Sequence, residues 1–236
     1  MAEDARGAAA PPPIRRIGLL GGTFDPVHNG HLRTALEVVE LLGLDALRLI
    51  PVNTPALRSQ PVATPAQRLD MLRLATNDAA VLQVDDRELR RGGVSYSIDT
   101  LRELRLAIGD QDRLCMILGE DAFAGLERWK EWQRLLDYAH IAVLTRPGDT
   151  AAPGATLAGW TAEHLALDPE DALRSASRGR LLRLSLTQLA ISSTQVRALL
   201  AAGRTPRYLL PEPVLDYIPV HGIYGAAPRA TTGGLQ

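Results

Sequence analysis

The sequence predicts an α/β protein built on a doubly wound parallel sheet, with helices on both faces and a small helical part at the C-terminal end. Three observations predict this class. Short apolar runs typical of buried strands alternate with segments in which apolar residues recur at helical spacing. The strand runs are apolar at consecutive positions, as expected of parallel strands covered on both faces. At 236 residues the chain is long enough to bury a substantial core in one domain.

Six strands are predicted from these short apolar runs. The first run is broken only by Arg15 and Arg16 at its start, and it ends at Gly21. The single cysteine, Cys115, lies inside the fourth run, so we expect a buried strand residue and no internal disulfide. The six predicted strands span residues 14–20, 47–52, 81–85, 113–118, 140–145 and 181–186.

Helices are predicted from capping residues and from apolar periodicity. After His31, apolar residues recur at helical spacing until Gly43, which is well placed to end a helix. Thr64 and Gln67 form a capping box at the next helix start, with Pro65 at its first position. Further helices are predicted at residues 97–108, 128–136, 169–177, 192–202 and 210–218, and the rest of residues 149–180 is expected to be a surface excursion.

Composition and charge indicate an ordinary soluble globular protein, with 46% hydrophobic and 22% charged residues. The formal net charge of −1 argues against a general nucleic-acid binder, which would carry a basic excess. No stretch approaches the roughly 18 uninterrupted apolar residues of a membrane span, and no signal-peptide core is found, so we expect a cytoplasmic location. Residues 1–13 are expected to be a disordered tail, residues 14–224 a single domain and residues 225–236 a flexible tail.

Residues 21–31, with the sequence G-G-T-F-D-P-V-H-N-G-H, join the first predicted strand to the first predicted helix. A helix start offers unpaired backbone N–H groups and the positive end of the helix dipole, which together favour an anion. Gly21 and Gly22 allow the backbone to approach a ligand, and the Asp25-Pro26 pair favours a turn. The sequence therefore predicts a phosphate-binding turn at the carboxyl end of the first strand, without the G-x-G-x-x-G fingerprint of dinucleotide sites.

Two histidines, His28 and His31, lie three residues apart within this stretch. If the turn continues into the helix, both rings face one anion and each donates a hydrogen bond to phosphate oxygens. Such bonds contribute to catalysis when they strengthen as charge builds up in a transition state. An isolated H-x-x-H pair is also typical of surface histidines, but here glycines, a turn and a helix start occur in the order that a phosphate site needs.

Polar residues also follow other predicted strands. Asp121 comes shortly after the fourth strand, where it suits either a helix-capping carboxylate or an acceptor for ribose hydroxyls. Residues 86–101 are dense in hydrogen-bonding side chains, a composition typical also of a solvated loop with a helix cap. Residues 191–197 begin a helix with capping-box spacing, which is either a simple cap or a second phosphate-binding helix start with Arg197 one turn in.

The run G-G-T-F-D-P-V-H-N-G-H closely resembles the signature of the nucleotidyltransferase superfamily with the H-x-G-H motif, in particular the bacterial nicotinate-nucleotide adenylyltransferases. Residues 86–101 look like the family's segment ending S-Y-T-x-x-T-L, with Ser97 where threonine is usual. Residues 191–197 look like its I-S-x-T-x-x-R, and residues 210–218 like its C-terminal helix. The resemblance covers residues 14–224 and implies a Rossmann-like fold.

This resemblance implies an enzyme that transfers AMP from ATP to nicotinate mononucleotide, giving deamido-NAD and pyrophosphate in NAD biosynthesis. ATP would bring Mg²⁺ with it, and no dedicated metal site is expected in the protein. The alternatives are a related adenylyltransferase acting on nicotinamide mononucleotide or phosphopantetheine, and a non-catalytic nucleotide-binding module.

Site residues follow from the resemblance by position. His28, His31 and Arg197 would be catalytic. The residues implied for ATP are Gly21, Gly22, Thr23, Phe24, Arg58, Gly119, Asp121, Arg146, Ser192 and Thr194. The residues implied for nicotinate mononucleotide are Ser95, Tyr96, Thr100 and Trp129. One departure lies in the loop after the second strand, where Leu57 stands in place of the family's usual histidine, so one phosphate contact is in question and Arg58 is left to supply another.

Overall fold

Eight strands form in the computed structural model, which describes residues 13–145, 154–187 and 189–226. They are β1 (Arg16–Gly22), β2 (Ala46–Pro51), β3 (Thr54–Pro55), β4 (Leu82–Val84), β5 (Val94–Ser95), β6 (Arg113–Gly119), β7 (His140–Thr145) and β8 (Leu181–Ser185). Six of them pair in parallel in the order β4-β2-β1-β6-β7-β8, and β3 pairs with β5 as a separate ribbon. The strand order reverses between β1 and β6, so the sheet's ligand-binding crevice is expected beyond the carboxyl ends of these two strands.

Helices cover both faces of the sheet. In the described residues they are α1 (Asn29–Leu42), α2 (Pro65–Thr76), α3 (Arg87–Arg91), α4 (Ser97–Ile108), α5 (Glu120–Ala124), α6 (Ala155–His164), α7 (Pro169–Ser175), α8 (Ser193–Ala201) and α9 (Glu212–Val220). Alternate residues of β6 enter two separate cores: Cys115 and Ile117 pack with α1, α2, α8 and α9, whereas Leu114 and Met116 pack with α4, α5 and α6. The predicted doubly wound α/β fold is confirmed, and Cys115 is a buried strand residue whose pKa burial raises to about 12.

Most predicted elements are confirmed to within two residues of their observed bounds. The prediction of one helix at residues 128–136 is wrong, because Glu131 adopts a left-handed φ of 50° and separates two 3₁₀ turns, Leu126–Arg128 and Trp132–Asp137. Helix α6 is not predicted at all. Only Leu157 and Thr161 are buried along α6, so its sequence lacks the apolar stripe by which a surface helix is recognised.

The predicted tails, residues 1–13 and 225–236, lie almost entirely outside the described residues, so the tails and the domain bounds stay predictions. Near the C-terminal end the chain forms a 3₁₀ turn, Ile223–Gly225, in which Tyr224 is buried. Across the described parts of the chain, no helix combines the length and the apolar character that a membrane crossing needs.

Acidification is expected to destabilise the fold through His140, a fully buried residue of β7. Its Nδ1 accepts a hydrogen bond from the Arg180 N–H at 3.2 Å, so its Nε2 carries the proton and donates to the Ala176 carbonyl oxygen at 3.1 Å. Burial lowers the pKa of His140 from 6.5 to about 4, so between these values the unfolded chain binds more protons than the folded chain. The contribution of His140 to the free energy of unfolding should therefore fall by about 2 kcal/mol between about pH 7 and about pH 5.

Urea unfolding at these two pH values measures the effect. A His140→Gln variant should show a smaller pH dependence than the wild type, whereas His221→Gln, which replaces an exposed histidine, should retain the wild-type dependence. Equal pH dependence in the wild type and in His140→Gln would contradict the assignment.

Candidate active site

The turn between β1 and α1 is shaped by reciprocal hydrogen bonds between two histidines. The His31 backbone N–H donates to Nδ1 of His28 at 3.3 Å, and the His28 backbone N–H donates to Nδ1 of His31 at 3.2 Å. The two rings are stacked, with 3.6 Å between their centroids. His28 is thus the N-cap of α1, and the two rings lie side by side at the helix start, as their spacing predicts.

These bonds determine the protonation of both rings. Because each Nδ1 accepts a hydrogen bond, the proton of each neutral ring is on Nε2. Burial lowers the pKa of His28 to about 4, and burial together with the neighbouring His28 lowers the pKa of His31 to about 3. Both rings are therefore neutral at physiological pH, and each offers one Nε2–H donor instead of a positive charge.

A cavity of about 610 Å³ opens beside this turn at the carboxyl end of β1, and its volume is typical of small-molecule sites. It brings together eight of the residues that the resemblance implies for catalysis or for ATP: Thr23, His28, His31, Arg58, Asp121, Ser192, Thr194 and Arg197. They come from the turn, from the loop after β3, from α5 and from the start of α8. The fold therefore assembles one cavity from segments that are distant in sequence.

The start of α8 forms part of the cavity wall. Ser192 caps this helix with its hydroxyl. Arg197 donates through Nη1 to the Asp25 carbonyl oxygen at 2.7 Å, and its Nη2 lies 3.4 Å from the Thr194 hydroxyl. These bonds tie α8 to the turn, so that residues at two helix starts, those of α1 and α8, line one cavity suited to an anion.

Asp25 anchors the turn through its carboxylate, a role that the sequence analysis missed. The residue is 4% exposed. Its carboxylate accepts the backbone N–H groups of Val62 at 2.8 Å and Ala63 at 3.0 Å, and the hydroxyl of Tyr224 at 2.7 Å. The carboxylate therefore joins the turn to the loop before α2 and to the C-terminal 3₁₀ turn.

Arg68 of α2 is a second missed residue, and it is fully buried. Its Nη1 donates to the Thr23 carbonyl oxygen at 2.8 Å and its Nη2 to the Asn53 carbonyl oxygen at 3.2 Å. Burial lowers the pKa of its guanidinium. A signal for it exists in the sequence, because Arg68 shares the helical spacing of the buried residues Met71 and Ala75, and a charge on an apolar helix face indicates a specific partner.

The cavity is not lined by four other residues implied for ATP: Gly21, Gly22, Phe24 and Gly119. Phe24 is 1% exposed, and its ring meets the His31 ring edge-on with 5.1 Å between centroids, so it supports that ring. A Cβ at Gly22 would lie 3.1 Å from the Phe24 ring, so the glycine makes room for Phe24. Arg146 lies outside the described residues.

Asp121 lies in the first turn of α5, exposed at the cavity. Gly119 is the N-cap of this helix, and no side chain caps it. The capping alternative is therefore wrong for Asp121, and ribose binding stays a prediction. In the loop after β3, Arg58 lines the cavity, whereas Leu57 is 51% exposed and lies outside the lining.

The cavity lining also excludes the four residues implied for nicotinate mononucleotide: Ser95, Tyr96, Thr100 and Trp129. The Thr100 hydroxyl donates to Glu88 Oε1 at 2.6 Å and accepts a bond from an arginine of α3, so it joins α4 to α3. The Ser95 hydroxyl accepts the Asn53 N–H at 3.0 Å. Because the Asn53 carbonyl also accepts from Arg68, Ser95 is connected to the turn through two residues.

Tyr96 and Trp129 lie on the side of the sheet that α4 covers, half-buried against its core. The Lys130 ammonium lies 4.9 Å from the centroid of the Tyr96 ring. Contact of these residues with a substrate stays a prediction.

Within the described ranges, no group of three or more His, Cys, Asp or Glu side chains is arranged to hold a metal ion. Two carboxylates, those of Asp25 and Asp121, line the cavity, and Asp25 already accepts three hydrogen bonds. The expected Mg²⁺ stays a prediction, in the form of an ion bound to ATP.

Comparison with known proteins finds a matching family model and similar bacterial proteins. A model of the cytidylyltransferase-like family matches residues 19–199. A probable nicotinate-nucleotide adenylyltransferase of Pseudomonas putida (strain GB-1) is 47% identical over 213 residues, which are 90% of this chain and 96% of the relative. A probable enzyme of the same name from Pseudomonas syringae pv. tomato is 48% identical over 213 residues, 90% of this chain and 95% of the relative.

The fold is shared with a solved structure of lower identity. The Plasmodium falciparum nicotinic acid mononucleotide adenylyltransferase complexed with NaAD matches with a TM-score of 0.68 and 15% identity, over 89% of this chain and 98% of that one. This match supports the Rossmann-like arrangement of the sheet. On the strength of the family model and of the two bacterial relatives, the chain belongs to the cytidylyltransferase-like family and, within it, to the nicotinate-nucleotide adenylyltransferases.

Proposed function

We propose that this protein transfers AMP from ATP to nicotinate mononucleotide in the cytoplasm, with deamido-NAD and pyrophosphate as products, and so acts in NAD biosynthesis. One observation carries the proposal: the starts of α1 and α8, with the donors of His28, His31 and Arg197, line one cavity at the carboxyl end of β1. Helix starts and charge-assisted donors are the features that bind phosphates.

The chemistry requires no nucleophile from the protein. The phosphate oxygen of nicotinate mononucleotide, already anionic, attacks the α-phosphorus of ATP in line. A new P–O bond forms, the bond between the α-phosphorus and the bridging oxygen breaks, and pyrophosphate leaves with its electron pair. Catalysis then consists of positioning and of stabilising the charge on the α-phosphate oxygens.

Different cavity residues carry out this positioning and charge stabilisation. His28 and His31 donate from Nε2 to the α-phosphate oxygens, where negative charge increases during transfer. Thr194 in the first turn of α8 and Arg197 one turn in hold the β- and γ-phosphates, and Arg58 adds a positive charge from the loop after β3. Asp121 accepts the ribose hydroxyls. Mg²⁺ enters as part of the substrate, bound by phosphates and water.

Nicotinate mononucleotide is proposed to bind beside residues 95–100 and Trp129, whose neighbour Lys130 lies 4.9 Å from the centroid of the Tyr96 ring. Because the Thr100 hydroxyl is hydrogen-bonded to Glu88, residues 95–100 bind the nucleotide through their backbone amides and the Tyr96 ring. The Thr100 hydroxyl holds this segment in place. The link through Ser95, Asn53 and the buried arginine of α2 joins this region to the turn.

Pyrophosphate release tests the proposal. At fixed Mg²⁺ and ATP, three acceptors are compared: nicotinate mononucleotide, nicotinamide mononucleotide and phosphopantetheine. We expect release with nicotinate mononucleotide to exceed release with either alternative. A preference for another acceptor would contradict the substrate, and ATP binding without release from any acceptor would indicate a non-catalytic module.

A further inference from the structure

Tyr224, near the C-terminal end, is hydrogen-bonded to a residue of the turn between β1 and α1. Its hydroxyl donates to Oδ1 of Asp25 at 2.7 Å, a bond between residues 199 positions apart, and both side chains are buried. The backbone of Tyr224 has a φ of 60°, in the left-handed region that disfavours a side chain. Gly222 and Gly225 on either side have φ values of 59° and 71°. A strained non-glycine residue between them persists only where its side chain makes compensating contacts.

Asp25 connects both positively charged parts of the ATP site. Its carboxylate holds the backbone N–H groups of Val62 and Ala63, which end the cavity-lining loop that carries Arg58. Its carbonyl oxygen accepts from Arg197 Nη1 at 2.7 Å, while its Oδ2 lies 3.7 Å from the same nitrogen. The orientation of one carboxylate therefore affects where Arg58 and Arg197 lie.

Loss of the Tyr224 hydroxyl would leave Oδ1 of Asp25 with the Ala63 N–H as its hydrogen bond. A buried carboxylate that loses a donor turns toward the nearest cation, because an uncompensated buried charge is unfavourable. Arg197 is that cation on the cavity side, since its Nη1 is already 3.7 Å from Oδ2. A closer pair between Asp25 and Arg197 would draw the guanidinium away from the phosphates.

We propose that Tyr224 is a positioning residue of the ATP site: its hydroxyl holds the Asp25 carboxylate toward residues 62–63 and thereby leaves Arg197 available to the triphosphate. The inference rests on the proposed function, because it assigns ATP to this cavity. Tyr224 does not line the cavity and acts only through Asp25.

Tyr224→Phe in the full-length protein tests the inference, because it removes the hydroxyl and retains the packed ring. We expect the Kd and KM for Mg²⁺-ATP to rise about tenfold, with the KM for nicotinate mononucleotide changed by less than about twofold. The matched control is Tyr217→Phe, which removes the hydroxyl that donates to Asp70 at 3.2 Å on α2, away from the cavity lining. This control should keep the wild-type affinity for ATP.

Calorimetric titration with Mg²⁺-ATP measures ATP binding without turnover, so it distinguishes failure of this inference from failure of the proposed function. A lower Tm of Tyr224→Phe with unchanged ATP affinity would overturn the inference and leave a purely structural tyrosine. Wild-type protein that binds ATP but releases no pyrophosphate would contradict the proposed function while leaving this inference standing. Wild-type protein that does not bind ATP would overturn both.

A double-mutant cycle with Asp25→Asn checks the route of the effect. If Tyr224 acts through the carboxylate, Tyr224→Phe should change ATP affinity by less than about twofold in the Asp25→Asn background. The same tenfold loss in both backgrounds would show a route that bypasses Asp25 and would overturn the inference.

Discussion

His31→Ala is expected to lower kcat by a factor on the order of a hundred or more, because it removes the Nε2–H donor that is proposed to face the charge developing on the α-phosphate. The ring is neutral, with a pKa lowered to about 3, so the loss is that of an oriented hydrogen bond and not of a positive charge. The N-cap of α1 survives the substitution, because His28 Nδ1 accepts from the backbone N–H of residue 31 and not from its ring.

Steady-state kinetics and thermal unfolding together measure this result. We expect kcat to fall while the KM values stay within a few-fold of the wild type, with a small decrease in Tm from the loss of the acceptor for the His28 N–H. His164→Ala is the control, since His164 bonds to the Trp160 carbonyl on α6, away from the cavity lining. Unchanged turnover in His31→Ala would remove His31 from the reaction.

Arg197→Ala has the second large expected effect, a rise in the KM for ATP by a factor on the order of ten to a hundred. The guanidinium is the charged group at the start of α8, and it also donates to the Asp25 carbonyl oxygen at 2.7 Å. Its removal therefore deletes the proposed phosphate donor and one of the bonds between α8 and the turn. Arg197→Lys should recover part of the loss, because an ammonium retains the charge but lacks the planar fork of donors.

Arg207→Ala provides the matched control for this prediction. Arg207 pairs with Glu212 at 2.7 Å on the exposed surface, outside the cavity lining, so its loss should leave both KM values unchanged. An equal rise in the KM for nicotinate mononucleotide in Arg197→Ala would count against the assignment of Arg197 to the triphosphate.

Local sequence signals were sufficient to predict much of the fold. The capping box of Thr64 and Gln67 and the glycine at position 43 are observed where the sequence predicts them, because each depends on contacts within one helical turn. Two of the wrong predictions, the unpredicted helix α6 and the break at Glu131, concern segments that lack such signals. Helix α6 buries too few apolar residues to show a periodic pattern, and the chain at Glu131 adopts a left-handed backbone that its residue type does not favour.

The candidate site also has parts that local sequence patterns predict and parts that they do not. The proximity of His28 and His31 follows from their spacing at a helix start, and the cap at Ser192 follows from residues three positions apart. The position of Thr100 does not follow from the sequence, because its hydroxyl is engaged by residues of a helix, α3, that composition alone indicated as a solvated loop.

By itself, the sequence determined the order of the six strands of the main sheet and of most of the longer helices, the turn between β1 and α1, and the start of α8, since these depend on residues only a few positions apart. The tertiary structure decided that both histidines are neutral, because the lowering of their pKa comes chiefly from burial. It also decided that Asp25 is held by Tyr224, a partner 199 residues away. No local pattern encodes such a contact, because it exists only once the sheet and the helices of both ends of the chain have packed together.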